Sequence, residues 1–353
     1  MKPTDVLPAR QPATIKDIAN ALGLSHSTVS RALNDFPHIS AETKARVREK
    51  AAELEYVVNS GARTLRHASS SLIGLVVPHS TNELSATMTR VLASRCQRAG
   101  YQLVLSMCDD DEEIELRQVK ALRQARALGI IIIPAPNLLE ETAQLLSSAS
   151  VVQFSRSHPR LSAPAVSIDG AKGVAAAIHH LGQLGHHRIA YVGLTSDLST
   201  GASRFAGFRR GMESCGAPID PALVRQGPGL GEFGRTAAAG LLQSPAPPTA
   251  IVFGTTELTS GGYEAIRRAG VRLPEDLSVI GFGDPPWFRH VSPTLSTIAM
   301  SFEEAAETAI SLLLRRIAEA AEGRPPEPAV SLVLDPYLIV RETTGRPRAR
   351  PGF

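Results

Sequence analysis

The sequence predicts an all-α helix-turn-helix headpiece followed by an α/β core of two Rossmann-like parallel-sheet lobes. Three observations carry that reading. Residues 14–34 place two short amphipathic segments around a glycine. From Leu72 onward, apolar runs alternate with amphipathic stretches. Those runs number eight, too many for one small sheet, which is why two lobes are expected.

In the segment TIKDIANALGLSHSTVSRALN, Ile15, Ile18, Ala19 and Leu22 recur at helical spacing and make one apolar stripe. Thr14 is placed to cap this helix, with Asp17 three residues on as a partial capping box. Gly23 ends it, since glycine takes positive φ without a Cβ penalty. Ser25 then caps a second helix in which Val29, Ala32 and Leu33 face inward, while His26, Ser27, Ser30 and Arg31 are expected to project outward. The stripes alone would suit any helical hairpin. The outward set decides for DNA, because short hydrogen-bonding side chains and one arginine stand where a solvated helix carries Glu and Lys.

Ser40 opens a third helix, AETKARVREKAAELEY, whose Val47, Ala51 and Leu54 pack on the first two. A polar stretch, VVNSGARTLRHASSS, follows. The apolar runs are then SLIGLVVP, YQLVLSM, LGIIIIP, SVVQFS, AVSID, RIAYVGL, TAIVFG and LSVIGFG, with helical stretches such as EIELRQVKALRQARA and VAAAIHHLGQLG between them. Runs apolar on both faces and separated by helices imply parallel, doubly wound sheets. The tail TTGRPRARPGF is rich in Pro and Arg and is expected to be disordered.

Composition narrows the class. The 353 residues are enough for two or three domains, and 43% hydrophobic with 20% charged residues is ordinary for a globular protein. Cys96, Cys108 and Cys215 are far apart and form no CxxC pair, so neither a disulfide framework nor a zinc site is expected. The opening MKPTDVLPARQPAT has no apolar signal core and no run is long enough to span a bilayer, so a soluble cytoplasmic protein is expected. Residues 1–66 hold ten Lys and Arg against seven Asp and Glu. That surplus equals the +3 of the whole chain, so the net positive charge lies with the end expected to meet phosphates.

The order of TIKDIA…LGLSHSTVSRALN, ISAETKARV, LEYVVNSGARTL, SLIGLVVP, LGHHRIAYVG, RFAGFRRGM, LPEDLSVIGFGD and SPTLSTI resembles the LacI/GalR family of transcriptional regulators over nearly the whole chain. The resemblance implies a DNA-binding headpiece, a hinge helix and a periplasmic-binding-protein-like core. That core binds a small-molecule effector between its lobes and dimerises to set two headpieces on double-stranded DNA carrying a pseudo-palindromic operator. The expected domains are an N-terminal arm at 1–13, the headpiece at 14–58, the hinge and linker at 59–70, and the core at 71–345. Within the core, one lobe is expected at about 71–166 and 297–326 and the other at about 167–296 and 327–345, with a tail at 346–353.

Carried over by position, His26, Ser27 and Arg31 read bases, and arginine can grip guanine with two hydrogen bonds. Thr14, Ser25, Thr28 and Asn34 suit phosphate oxygens. In the hinge, Asn59 opens the helix, Ala62 faces its symmetry mate, Leu65 wedges into a central base step and Arg66 reaches the DNA backbone. Val58 stands where the family carries proline, and Gly61 lies inside a short helix, which weakens it by about 1 kcal/mol relative to alanine.

For the effector, the resemblance points to Arg204 as a clamp, with Thr200 one turn before it, and to Asn82 and Arg156 from the other lobe. Thr256-Glu257 stands where the family carries Asn-Asp, and Gly281-Phe282-Gly283 where it carries Gly-Phe-Asp. Glu257 and Asp284 are therefore the candidate replacements, and Trp287 the candidate stacking surface for a sugar ring, with Leu230 or Phe233 opposite. A sugar or sugar acid is the expected effector, and loss of operator affinity the commoner response among sugar-responsive relatives. No cofactor and no metal is expected: His179-His180 and His186-His187 lack partners at ligand spacing, and no nucleophile elbow or phosphate loop occurs. The competing readings are a solute-binding protein and a sugar-modifying enzyme on the same core.

Overall fold

The computed structural model describes residues 13–56, 71–79, 83–324 and 329–348. The chain divides into two compact units, Met1–Ser69 and Ser70–Phe353.

The first unit is a three-helix cluster, α1 (Ile15–Leu22), α2 (His26–Leu33) and α3 (Ala41–Glu53). Each helix buries its periodic apolar positions: Ile18 and Ala19, Val29 and Ala32, and Val47 and Ala51 meet in one core, with Ile15, Leu22, Leu33 and Leu54 at its margin. The helix starts follow the sequence. Asp17 Oδ2 accepts from the Thr14 N–H at 2.8 Å and from its hydroxyl at 2.7 Å. Ser25 Oγ accepts from the Thr28 N–H, and Ser40 Oγ from the Thr43 N–H. Gly23 sits at φ 63°, the left-handed conformation that releases the chain into the turn. One expectation fails here. Ser30 is buried, not outward. Because α2 packs against both α1 and α3, it hides a wider arc than its apolar stripe, and a small serine occupies the edge of that arc.

The second unit holds two six-stranded sheets. The first, in the order β11-β5-β4-β3-β1-β2, is parallel throughout: β1 (Leu72–Val77), β2 (Gln102–Met107), β3 (Gly129–Ile132), β4 (Ser150–Phe154), β5 (Ala165–Ile168) and β11 (Ser331–Leu334). Helices α4 (Glu83–Arg98) and α11 (Phe302–Ala321) cover one face through Met88, Leu92, Ile310 and Leu313. On the other face, α5 (Glu112–Gln124) and α6 (Glu140–Ser147) contribute Val119, Leu122 and Leu146.

The second sheet runs β12-β10-β9-β8-β6-β7, with β6 (Ile189–Leu194), β7 (Val224–Gly227), β8 (Ala250–Phe253), β9 (Ser278–Phe282), β10 (Ser296–Ala299) and β12 (Tyr337–Ile339). Only β12 is antiparallel, pairing Thr297 with Ile339. This sheet lies between α7 (Gly170–Gln183) with α8 (Ser199–Ser214) and α9 (Gly231–Leu242) with α10 (Thr256–Arg268).

The chain passes between sheets after Ile168, after Ala299 and after Leu334. The lobe limits expected at 166/167, 296/297 and 326/327 therefore shift: the whole of β10 belongs to the second sheet, and β11 to the first. Apolar runs show that a strand exists but not which ladder it joins. Strands β7, β10, β11 and β12 were not among the eight predicted runs. The end of the chain also departs from expectation, since residues 346–348 are described rather than part of a disordered tail. His186 fastens this end, its ring meeting Thr249 Oγ1 at 2.9 Å and the Gly345 carbonyl at 2.8 Å, and Arg348 pairs with Asp276. His180 reaches Thr344 at 3.1 Å, so both rings are occupied structurally.

Candidate functional site

In the headpiece unit, α2 presents His26, Ser27 and Arg31 to solvent. Ser25 Oγ contacts both Ser27 Oγ and Thr28 Oγ1 at 2.8 Å, so the three hydroxyls form one local cluster at the helix start. The Thr14, Ser25 and Asn34 side chains are exposed and Thr28 is half-buried. Asn34 spends one amide hydrogen on the Ser30 carbonyl at 2.7 Å, leaving its other polar groups outward. The Arg31 guanidinium lies 5.9 Å from the centre of the Phe36 ring, within reach of a cation–π contact. Phe36 was not singled out from sequence; its 47% exposure marks it as more than core packing. The loop that carries it is tied to α3 by Arg48, which reaches both Asp35 oxygens at 2.6 and 2.7 Å. Asn59, Ala62, Leu65 and Arg66 of the expected hinge lie outside the described residues, as does Asn82.

In the core unit, a cavity of about 380 Å³ opens between the lobes at the carboxyl ends of the strands. Arg156, Thr200, Arg204, Glu257 and Leu230 line it. Arg204 rises from the first turns of α8. Gly170 makes room for its stem, since a Cβ there would stand 2.7 Å from Arg204 Cγ. Its guanidinium lies 4.0 Å from the Phe282 ring centre, and Nη1 donates to the Gly254 carbonyl at 2.7 Å. Its Nε is enclosed with no hydrogen-bond partner. Burial pulls the Arg204 pKa down to about 10, against a smaller opposing pull from Tyr191.

Arg156 reaches the cavity already committed. It forms a two-pronged ion pair with Asp110, in which Nη2 lies 3.2 Å from Oδ2 and Nη1 meets Oδ1. His79 and Asp109, 3.2 Å apart, also line this side. Three non-glycine residues of the lining, Asp109, Asp110 and Ser155, have φ of 52°, 59° and 61°, a concentration of strained backbone at one site.

Two expected contacts lie elsewhere. Asp284 is outside the lining, held by Arg341 at 2.8 Å and Arg289 at 2.5 Å. Trp287 packs against the second lobe's core, edge-on to Phe288 at 4.4 Å between ring centres and tilted against Tyr263 at 5.8 Å. The phenyl rings in the cavity lining are those of Phe282 and Phe302 instead. Phe233 is likewise absent from the lining, and its ring occupies the space beside Gly227. Among the described residues no group of His, Cys, Asp and Glu is placed to hold a metal ion, and no helix is long and apolar enough to cross a membrane.

A helix-turn-helix unit together with a two-lobed binding core defines a DNA-binding regulator. Residues 14–59 match the family described as bacterial regulatory proteins, lacI family, and residues 178–344 match the periplasmic binding protein-like domain. The HTH-type transcriptional regulator DegA of Bacillus subtilis is 30% identical over 335 residues, covering 94% of this chain and 98% of that protein. The ribose operon repressor of Haemophilus influenzae is 28% identical over 331 residues, with the same coverage of both chains. A crystal structure of the Lac repressor bound to ONPG in the repressed state superposes with a TM-score of 0.79 at 25% identity, covering 95% of this chain and 100% of that one. The chain belongs to the LacI family of transcriptional regulators. The relatives are regulators and repressors of transcription, not enzymes.

Proposed function

We propose that this regulator is a homodimeric repressor that holds a pseudo-palindromic operator and loses affinity for it when a sugar or sugar acid enters the interlobe cavity. The observation that carries the reading is the exposed face of α2, where His26, Ser27 and Arg31 stand clear of any ion pair among the described residues. His26, Ser27 and Arg31 read base edges in the major groove, while Thr14, Ser25, Thr28 and Asn34 meet phosphates. Asn59, Ala62, Leu65 and Arg66 act as the minor-groove hinge. In the cavity, Arg204, Thr200 and Glu257 contact the effector, Asn82 closes on it from the other lobe, and Arg156 with Asp110 braces the wall. A Lac repressor dimer bound to operator has been solved at 25% identity to this chain, which supports the dimeric arrangement. Effector binding can shift operator affinity only by its preference for one lobe geometry over the other, commonly 1–3 kcal/mol.

The test is fluorescence anisotropy of a labelled duplex from the region upstream of the protein's own gene. Full-length protein should bind with a steep salt dependence, and a small-molecule extract of the source cells should release it. A protein that binds this DNA no better than a random duplex, in every extract tried, is not the repressor described here.

A further inference from the structure

The first two helices of the headpiece unit end differently. The chain leaves α1 through Gly23, at φ 63°, but leaves α2 through Asp35, at φ 55°. A residue with a Cβ is strained in that left-handed conformation, so its surroundings must hold it there. Helix α3 supplies the hold. Arg48 Nη2 lies 2.6 and 2.7 Å from the two Asp35 carboxylate oxygens. Lys44 Nζ donates to the Asp35 carbonyl at 3.2 Å and stands 3.7 Å from Oδ1. The Asp35 and Arg48 side chains are both exposed, and an exposed ion pair adds little to stability. What the clamp fixes is a direction.

The Phe36 N–H bonds back to the Arg31 carbonyl at 3.0 Å, and the Asp35 N–H to the Ala32 carbonyl at 3.3 Å. This paired closure is a Schellman motif, which sets the side chain after the left-handed residue against that of the third residue from the helix end. Two apolar groups commonly meet there. In this chain the two are Phe36 and Arg31, with the guanidinium 5.9 Å from the ring centre. Phe36 takes no part in the three-helix core and is half exposed, so core packing does not account for it. The His38 ring also lies against it, 6.1 Å between centres and tilted by 54°. An arginine resting on a ring has fewer orientations to lose when it meets a base.

We infer that Asp35 determines base specificity without touching DNA: clamped by Arg48 and Lys44, it presents Phe36 to Arg31 and so sets the direction from which Arg31 reaches a base edge. This rests on reading Arg31 as a base-contacting residue and adds the device that aims it. A carboxylate repels phosphate, so removing Asp35 should by charge alone strengthen binding to any duplex. A loss of base preference runs the other way and belongs to the positioning role.

The test titrates full-length protein, at fixed salt, into the duplex that the wild type selects from a randomised pool and into its single-base variants. The base pair whose preference Arg31→Ala removes marks the Arg31 contact. Asp35→Gly keeps the left-handed backbone and loses the carboxylate. It should lower preference at that pair by roughly two- to fivefold, leave the other pairs unchanged, and bind a random duplex at least as well as the wild type. Asp35→Asn tolerates the same backbone and keeps one oxygen for Arg48, so it should retain part of the preference. In an Arg31→Ala background, Asp35→Gly should change no preference. Unchanged preference at the Arg31 pair in Asp35→Gly overturns the inference. So does equal weakening on every duplex, which marks a role in headpiece stability alone, or an effect that persists without Arg31, which marks a direct DNA contact. If Arg31→Ala alters preference at no pair, base reading by Arg31 fails first, and this inference falls with it.

Discussion

The two candidate sites are built in opposite ways. The DNA-reading face takes its residues from one stretch, Thr14 to Asn34, and depends on a helix start, a glycine turn and the outward side of α2. The cavity gathers its walls from positions between Pro78 and Phe302, at the ends of strands in two sheets. In the first case a side chain's role follows from its place on a helix. In the second it follows from which distant residue has already claimed it: Asp110 claims Arg156, and Arg341 claims Asp284.

The sharpest way to break that contrast is at Asp284. Its side chain and that of Arg341 are 12% and 14% exposed, so removing the acid strands a nearly buried cation. Asp284→Ala should destabilise the core by about 3–5 kcal/mol in urea unfolding, with effector affinity of the folded protein unchanged. A loss of effector affinity at unchanged stability would return Asp284 to the site.

Glu115 sharpens the contrast from behind the cavity wall. It is fully buried, with Oε2 accepting from the Ala135 N–H at 2.8 Å. Burial raises its pKa to about 7, the Ala135 bond and Arg156 oppose the rise, and Asp110 and Glu112 add to it. The folded state therefore binds this proton more tightly than the unfolded chain, whose group titrates near 4.5. The stability it contributes is complete below pH 4.5 and is lost as pH rises to about 7, a fall on the order of 3 kcal/mol. Glu115→Gln should flatten that part of the stability profile, and the same slope in the variant would show that another group sets it.

At the headpiece, Arg31→Ala should weaken operator binding by about 1–3 kcal/mol and relax preference at one base pair per half-site. Selection from a randomised operator reads this directly. Phe36→Ala should give the smallest effect, about 0.5–1 kcal/mol, at that same base pair. Phe36→Tyr should restore the preference and Phe36→Leu should not; equal behaviour of all three would leave Phe36 without a role in positioning Arg31.

The headpiece was largely legible because helix periodicity and capping are local, and Ser30 escaped only because burial on α2 depends on where α3 lies. In the core, both sheets were readable from apolar runs, whereas β7 is largely polar, β10 opens on Ser296-Thr297, and β11 and β12 lie at sheet edges. Arg204 was singled out through its motif, and the fold places it in the cavity lining. Phe282 lies in an apolar strand, and only the fold brings its ring under a guanidinium. Trp287, in the 3-10 turn Pro286–Arg289, carried no sequence signal that Tyr263 and Phe288 would hold it.

The central claim is that operator reading and effector sensing are separable in this chain. It is tested most directly by anisotropy titrations of one operator duplex with wild type, Arg31→Ala and Arg204→Met, each with and without the cell extract that releases the wild type. Arg31→Ala should bind weakly yet still respond to extract, and Arg204→Met should bind as the wild type does and not respond. Loss of both properties in either variant, or of neither, would contradict the account.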